Sequence, residues 1–210
     1  MVGERLTTAS EEGSVTEILQ MIRSGSLSED KLKTALDLLP KTAGIAARKC
    51  MVLDALEALG CADVPDEVQI KAVEAVASER QRIFWLRDVF ASKEIPDPVG
   101  TRIVELFADN GLVEELLYII TKEKRLSLEN APSENVVERS RECLVDAVAN
   151  AGEWRLLRLS KDQLLKIALI NAKNKKNPLE KNGVRSEGSV RKPSGGDKTD
   201  KKSGALKNKV

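Results

Sequence analysis

The residues best equipped for chemistry stand in E-R-Q-R-I-F-W-L-R (79–87), where three arginines flank two aromatic rings. Guanidinium groups grip phosphate or carboxylate, and an aromatic face stacks on a base or on another ring. Arg80, Arg82, Trp85 and Arg87 are therefore candidate macromolecule-binding residues. On a helix, however, Arg82 points away from Arg80 and Arg87, so the three do not form one clamp. The competing arrangement is a core of Phe84, Leu86 and Phe90 with solvated arginines around it. Trp154 beside Arg155 and Arg158 repeats the combination and has the same competitor, core plus surface.

Other chemistry finds little support. The chain has no histidine, which removes the commonest general base and metal ligand. Cys50, Cys61 and Cys143 are too far apart for a C-x-x-C zinc pair and read as free thiols in a reducing compartment. Carboxylates pair at Glu11/Glu12, Glu29/Asp30 and Glu114/Glu115. Catalytic carboxylates need a pocket that separates their pKa values. The last two pairs fall in the first turn of an expected helix, where the dipole favours negative charge by about 0.3–1 kcal/mol. No glycine-rich phosphate loop precedes a helix, because the glycines of the body stand singly at helix ends. The expectation is a protein with no catalytic residues, no metal and no cofactor, and not an enzyme.

Charge gives the stronger clue to partners. Residues 174–210 hold eleven Lys/Arg and four Asp/Glu, so of the chain's 34 basic and 33 acidic residues the first 173 keep 23 and 29. An acidic body thus carries a basic, Gly/Ser/Pro/Asn-rich tail that is expected to be disordered. Lys173, Lys175, Lys176, Arg191 and Lys192 join the candidate binding residues, with nucleic acid the partner such a tail suits. No apolar run at the N-terminus reads as a secretory signal, and none reaches the roughly 18 residues of a membrane span. The expected setting is cytoplasmic, with no membrane.

The elements that must position these residues are helices. Residues 1–13 are polar and expected to be loose. Ser14 opens S-V-T-E, a capping box in which Glu17 reaches back, and Ser28 caps the next helix until Pro40 stops it. A long helix is expected from about Thr42 to Leu59, closed by Gly60, and another after Pro65–Asp66. The best-punctuated stretch is Asp97–Arg125. There Asp97 caps, Pro98 starts the helix, Gly111 turns the chain, and Leu112, Val113, Leu116, Leu117, Ile119 and Ile120 follow. A helix apolar over so much of its circumference must be covered on several sides. Beyond a connection containing Leu126 and Leu128, Ser133 and Ser160 cap two more helical stretches, and the periodicity collapses after Lys173.

The fold class is all-α, with about eight to nine antiparallel helices in residues 14–173, between a flexible N-terminus (1–13) and the tail (174–210). Three helix ends are alike: A-L-E-A-L-G (55–60), E-L-F-A-D-N-G (105–111) and D-A-V-A-N-A-G (146–152). Their spacing, and the alternation of long helix, tight turn and apolar helix, resembles HEAT or armadillo repeats over roughly residues 42–172. That resemblance implies an α-solenoid. An irregular helical bundle is the alternative. The expected function is a scaffold or adaptor that binds a protein through a helix surface, the tail adding affinity. A nucleic-acid or ribonucleoprotein factor acting mainly through the tail is the alternative, and self-association is a further option.

Overall fold

Local start and stop signals become eleven helical segments in a computed structural model that describes residues 2–79, 81–122 and 132–176. They are α1 (Val2–Glu12), α2 (Val15–Arg23), α3 (Glu29–Arg48), α4 (Val52–Glu57), α5 (Asp66–Ser78) and α6 (Trp85–Ser92). After them come α7 (Asp97–Asp109), α8 (Val113–Lys122), α9 (Glu134–Asn150), α10 (Glu153–Leu156) and α11 (Lys161–Lys176). No strand occurs among the described residues, so the fold is all-α. The expected connection through Leu126 and Leu128 lies outside the described residues, as do Arg191, Lys192 and the tail from residue 177 onward.

Several caps work as the sequence implies. Ser133 Oγ accepts from the Val136 N–H at 3.3 Å. Ser160 and Gln163 satisfy each other's backbone N–H groups at 3.2 and 2.8 Å, a reciprocal cap. Ser14 accepts from the Glu17 N–H at 3.4 Å, but the Glu17 carboxylate turns to Arg5 at 3.1 Å instead of reaching back. The Ser14 N–H is already held by the Ala9 carbonyl, which leaves Glu17 nothing to cap. Asp97 is the first helical residue and not the cap, and it accepts a 2.6 Å bond from Asn135 on α9.

The helices form two rows. In one, α1, α3, α5, α7 and α9 each pack on the next; in the other, α2, α4, α6 and α8 do the same. Long-helix ends meet at close quarters: a Cβ on Gly13 would lie 3.0 Å from the Ala46 nitrogen, and one on Gly111 2.6 Å from the Ala151 nitrogen. Gly111 has a φ of 63°, and the Leu112 N–H bonds back to Phe107 O, so the turn into α8 takes almost no chain. The C-terminal turns of α1, α7 and α9 thus abut their neighbours in the row, while the N-termini of α5, α7 and α9 line one cleft. The long helices therefore run in one direction, each followed by a shorter helix returning beside it. This is a solenoid-like stack of pairs, because the main helix–helix contacts run between neighbours along the series.

Cations from one pair close the helix ends of the pair before. Lys49 Nζ donates to the Glu11 and Glu12 carbonyls at 2.8 and 3.0 Å, and Lys93 Nζ to those of Leu56 and Glu57, both at 3.1 Å. Arg155 donates to the Asn110 carbonyl in the same way. Each cation meets orphan carbonyls at the negative end of a helix dipole. Along the first row an ion-pair chain joins Glu74, Arg102, Glu105, Arg139 and Glu142 at 2.8 to 3.4 Å, linking α5, α7 and α9.

Five expectations need correction. Residues 2–12 are not loose: they form α1, because Leu6 and Ala9 fall one turn apart and bury against α3. Pro40 does not stop the second helix. It sits inside α3, forgoing only the bond to the Leu36 carbonyl while the helix runs on beneath it. The long helix from Thr42 to Leu59 is instead broken at Cys50, which adopts a left-handed φ of 63° and sends Met51 N–H back to Ala46 O. The three similar helix ends are also not equivalent, since 55–60 closes α4 in the second row and the other two close α7 and α9 in the first. The last helix continues to Lys176, three residues past the expected boundary, so Lys175 and Lys176 belong to α11.

The core is aliphatic apart from Phe90 and Phe107, as a chain with 3% aromatic residues requires. Leu112, Val113, Leu116, Leu117, Ile119 and Ile120 are all buried, with α6, α7 and α9 around α8.

Candidate functional site

The segment 81–84 is a turn, and α6 begins only at Trp85, so the arginines are arranged by a corner and not by a continuous helix. Arg82 lies over the Trp85 ring at 5.0 Å and donates to Cys50 Sγ at 2.8 Å. Arg87 lies over the Tyr118 ring at 5.2 Å and pairs with Asp88 at 3.4 Å and Glu115 at 3.7 Å. The two arginines hold different partners inside the molecule. A phosphate clamp built from both is not formed. Arg80 lies outside the described residues.

Phe84 departs from the expectation. It is 42% exposed, whereas Leu86 and Phe90 are buried as anticipated. Its ring lines a small cleft of about 100 Å³ together with Gly111–Glu115, Arg155, Arg158 and Leu159. The two Arg/aromatic segments, 71 residues apart at Phe84 and Arg155, are thereby brought to one edge made by α6, the start of α8, and α10. No periodicity could announce this meeting, because it depends on which helices are neighbours.

Glu115 lies at the junction, 6% exposed. Burial pushes its carboxyl above the ordinary glutamate range, while its own backbone N–H, then Arg87 and more weakly Arg155, pull the other way. The helix-dipole account given for Glu114/Glu115 holds for exposed Glu114; Glu115 is a buried partner of Arg87. The edge offers guanidinium groups and a half-exposed phenyl ring, the chemistry of recognising carboxylates and apolar side chains together.

A larger cleft of about 430 Å³ lies where the N-termini of α5, α7 and α9 meet, with Asp66, Lys93, Glu94 and Asp97 on its walls. Three of the polar side chains that line it are engaged within the fold. Lys93 is held by Glu57 and two carbonyls, and hydrogen bonds from Asn135 and then Ser133 keep the Asp97 carboxyl below the usual range. Gln69 spends its amide on Gly60 N–H, Cys61 O and Val64 O. No group of three or more Cys, Asp or Glu side chains that could hold a metal occurs among the described residues. Of the thiols, Cys50 is exposed, while Cys61 and Cys143 are buried.

Lys173 is exposed on α11; Lys175 and Lys176 follow on the same helix. No helix among the described residues is long and apolar enough to cross a membrane. No protein-family model, curated protein or solved structure matches this chain.

Proposed function

We propose that the chain is a non-enzymatic, HEAT-like helical scaffold of the cytoplasm that binds a protein partner through the edge formed by α6, α8 and α10. The basic tail adds electrostatic affinity. One observation carries this reading: the fold brings Phe84, Arg155 and Arg158 from separate segments to one cleft and leaves Phe84 42% exposed there. Arginine and aromatic side chains dominate the energetics of protein interfaces, and an aromatic ring left half in water beside guanidinium groups is ready to be covered.

The test is a photo-crosslinker placed in the full-length chain at Phe84 and, as a control, at exposed Lys31 on α3. A protein crosslinked at 84 and not at 31 is expected. Phe84→Ala should weaken its binding at least tenfold while leaving the melting temperature nearly unchanged, since the ring is outside the core. Recovery of nucleic acid alone would overturn the reading. So would binding whose log K falls with log salt at a slope of about −4 to −5, if that slope disappears on deleting residues 177–210.

A further inference from the structure

The two ends of the stack are finished differently. The outward residues of α1 are polar: Glu4, Arg5, Thr7, Thr8, Glu11 and Glu12 are exposed, and Leu6 and Ala9 point inward. Such a surface is how a helical array closes itself off. The last described helix has no such face. α11 runs back along α9, with Asn174 donating to the Arg141 carbonyl at 3.0 Å and Ile167 buried between them. On its opposite side Leu165, Ala168, Leu169 and Ala172 are all exposed, spaced i, i+3, i+4 and i+7, with Leu164 alongside. Leu165 and Leu169 are 60% and 57% exposed. This is the stripe by which one helix packs on another, and no described helix packs on it.

Its charges say what covers it. α11 carries five lysines and one aspartate, and exposed Lys161, Lys166 and Lys173 border the stripe. A second α11 would bring lysine against lysine at both ends in either orientation, so self-pairing is disfavoured. A membrane-surface helix would carry aromatic anchors and a broad apolar face, and α11 has no aromatic residue and only three leucines on that side. We infer that the α11 stripe docks an amphipathic, acidic helix from a partner protein, laid against the open end as the next helix of the stack. The inference rests on the scaffold reading only in taking the partner to be a protein; the surface is different from the Phe84 edge.

Two synthetic helical peptides test it on the full-length chain, both with leucine at i, i+3, i+4 and i+7, one flanked by glutamates and the other by lysines. The glutamate peptide should bind, by fluorescence anisotropy, at least tenfold more tightly than the lysine peptide. Leu165→Ser combined with Leu169→Ser should remove that binding without altering the melting temperature, because both side chains are in water. Lys166→Glu with Lys173→Glu should invert the preference between peptides. Equal affinity for the two peptides, or none for either, overturns the inference. So does a dimer in sedimentation that the serine variant abolishes, or capture by phosphatidylserine vesicles that the same variant abolishes. Crosslinking at Phe84 that survives any of these failures would leave the scaffold reading standing.

Discussion

Glu115 shows how a single residue can be a packing element and a liability at once. Its carboxylate sits beside Arg87 in a nearly closed space, and burial outweighs that attraction, so its pKa is raised. A carboxyl whose folded pKa exceeds its unfolded one stabilises the fold while protonated, and that contribution is lost as pH rises through the folded value. Glu115→Gln should therefore melt higher than the wild type near neutral pH, and the difference should close toward about pH 3, below the unfolded glutamate value of about 4.3. Thermal melts of the two proteins at both pH values check the sign. The neighbouring Phe84 carries the opposite lesson. Its hydrophobicity places it in a core, yet the chain turns at 81–84 before α6 begins and leaves the ring at the surface. Sequence reading marked Arg82, Trp85 and Arg87 as able to bind, but the partners they hold, Cys50, Tyr118 and Glu115, come from other parts of the chain.

At the scale of elements, the legible features are those that act within one turn. Ser133 and Ser160 cap because a hydroxyl reaches an N–H three residues on, and Gly111 ends α7 because it accepts a positive φ. The turn between α3 and α4 was not legible, since Cys50 takes a glycine's conformation without being glycine. That conformation costs a residue with a Cβ about 1–2 kcal/mol, against the greater entropy glycine loses on folding. Cys50→Gly should therefore stabilise the protein by about 0.5–1 kcal/mol, measured by urea unfolding. An unchanged or lower stability would mean that the Arg82–Cys50 contact outweighs the backbone strain. Pro40 misleads in the opposite direction. Its missing N–H costs one bond, and burial of Leu39, Ala43, Ala46 and Ala47 on the same helix outweighs that loss.

For the whole molecule, stability depends on the continuity of the two rows. α8 bridges them, packing on α6, α7 and α9, and its Leu116 is fully buried. Leu116→Asp would place an unpaired charge there and should abolish cooperative melting, while Leu116→Ala should cost about 2–5 kcal/mol through the cavity it leaves. A soluble, cooperatively melting Leu116→Asp variant would show that α8 is not the bridge. The ion-pair chain from Glu74 to Glu142 adds little pair by pair on an exposed face. Its value is registration, since it spans three consecutive long helices.

By itself the sequence determined that the chain is helical, where most helices begin and end, and that its core is aliphatic. These follow from backbone hydrogen bonding and 3.6-residue periodicity, which are settled within a few turns. It marked α8 as apolar around much of its circumference, through Leu112–Ile120, and placed Leu164–Ile170 in a helix capped by Ser160. Only the tertiary structure decided that α8 is enclosed by three helices while α11 keeps Leu165 and Leu169 in water. Burial belongs to a side chain and its neighbours together, and the neighbours are chosen by the stacking of pairs distant in the chain.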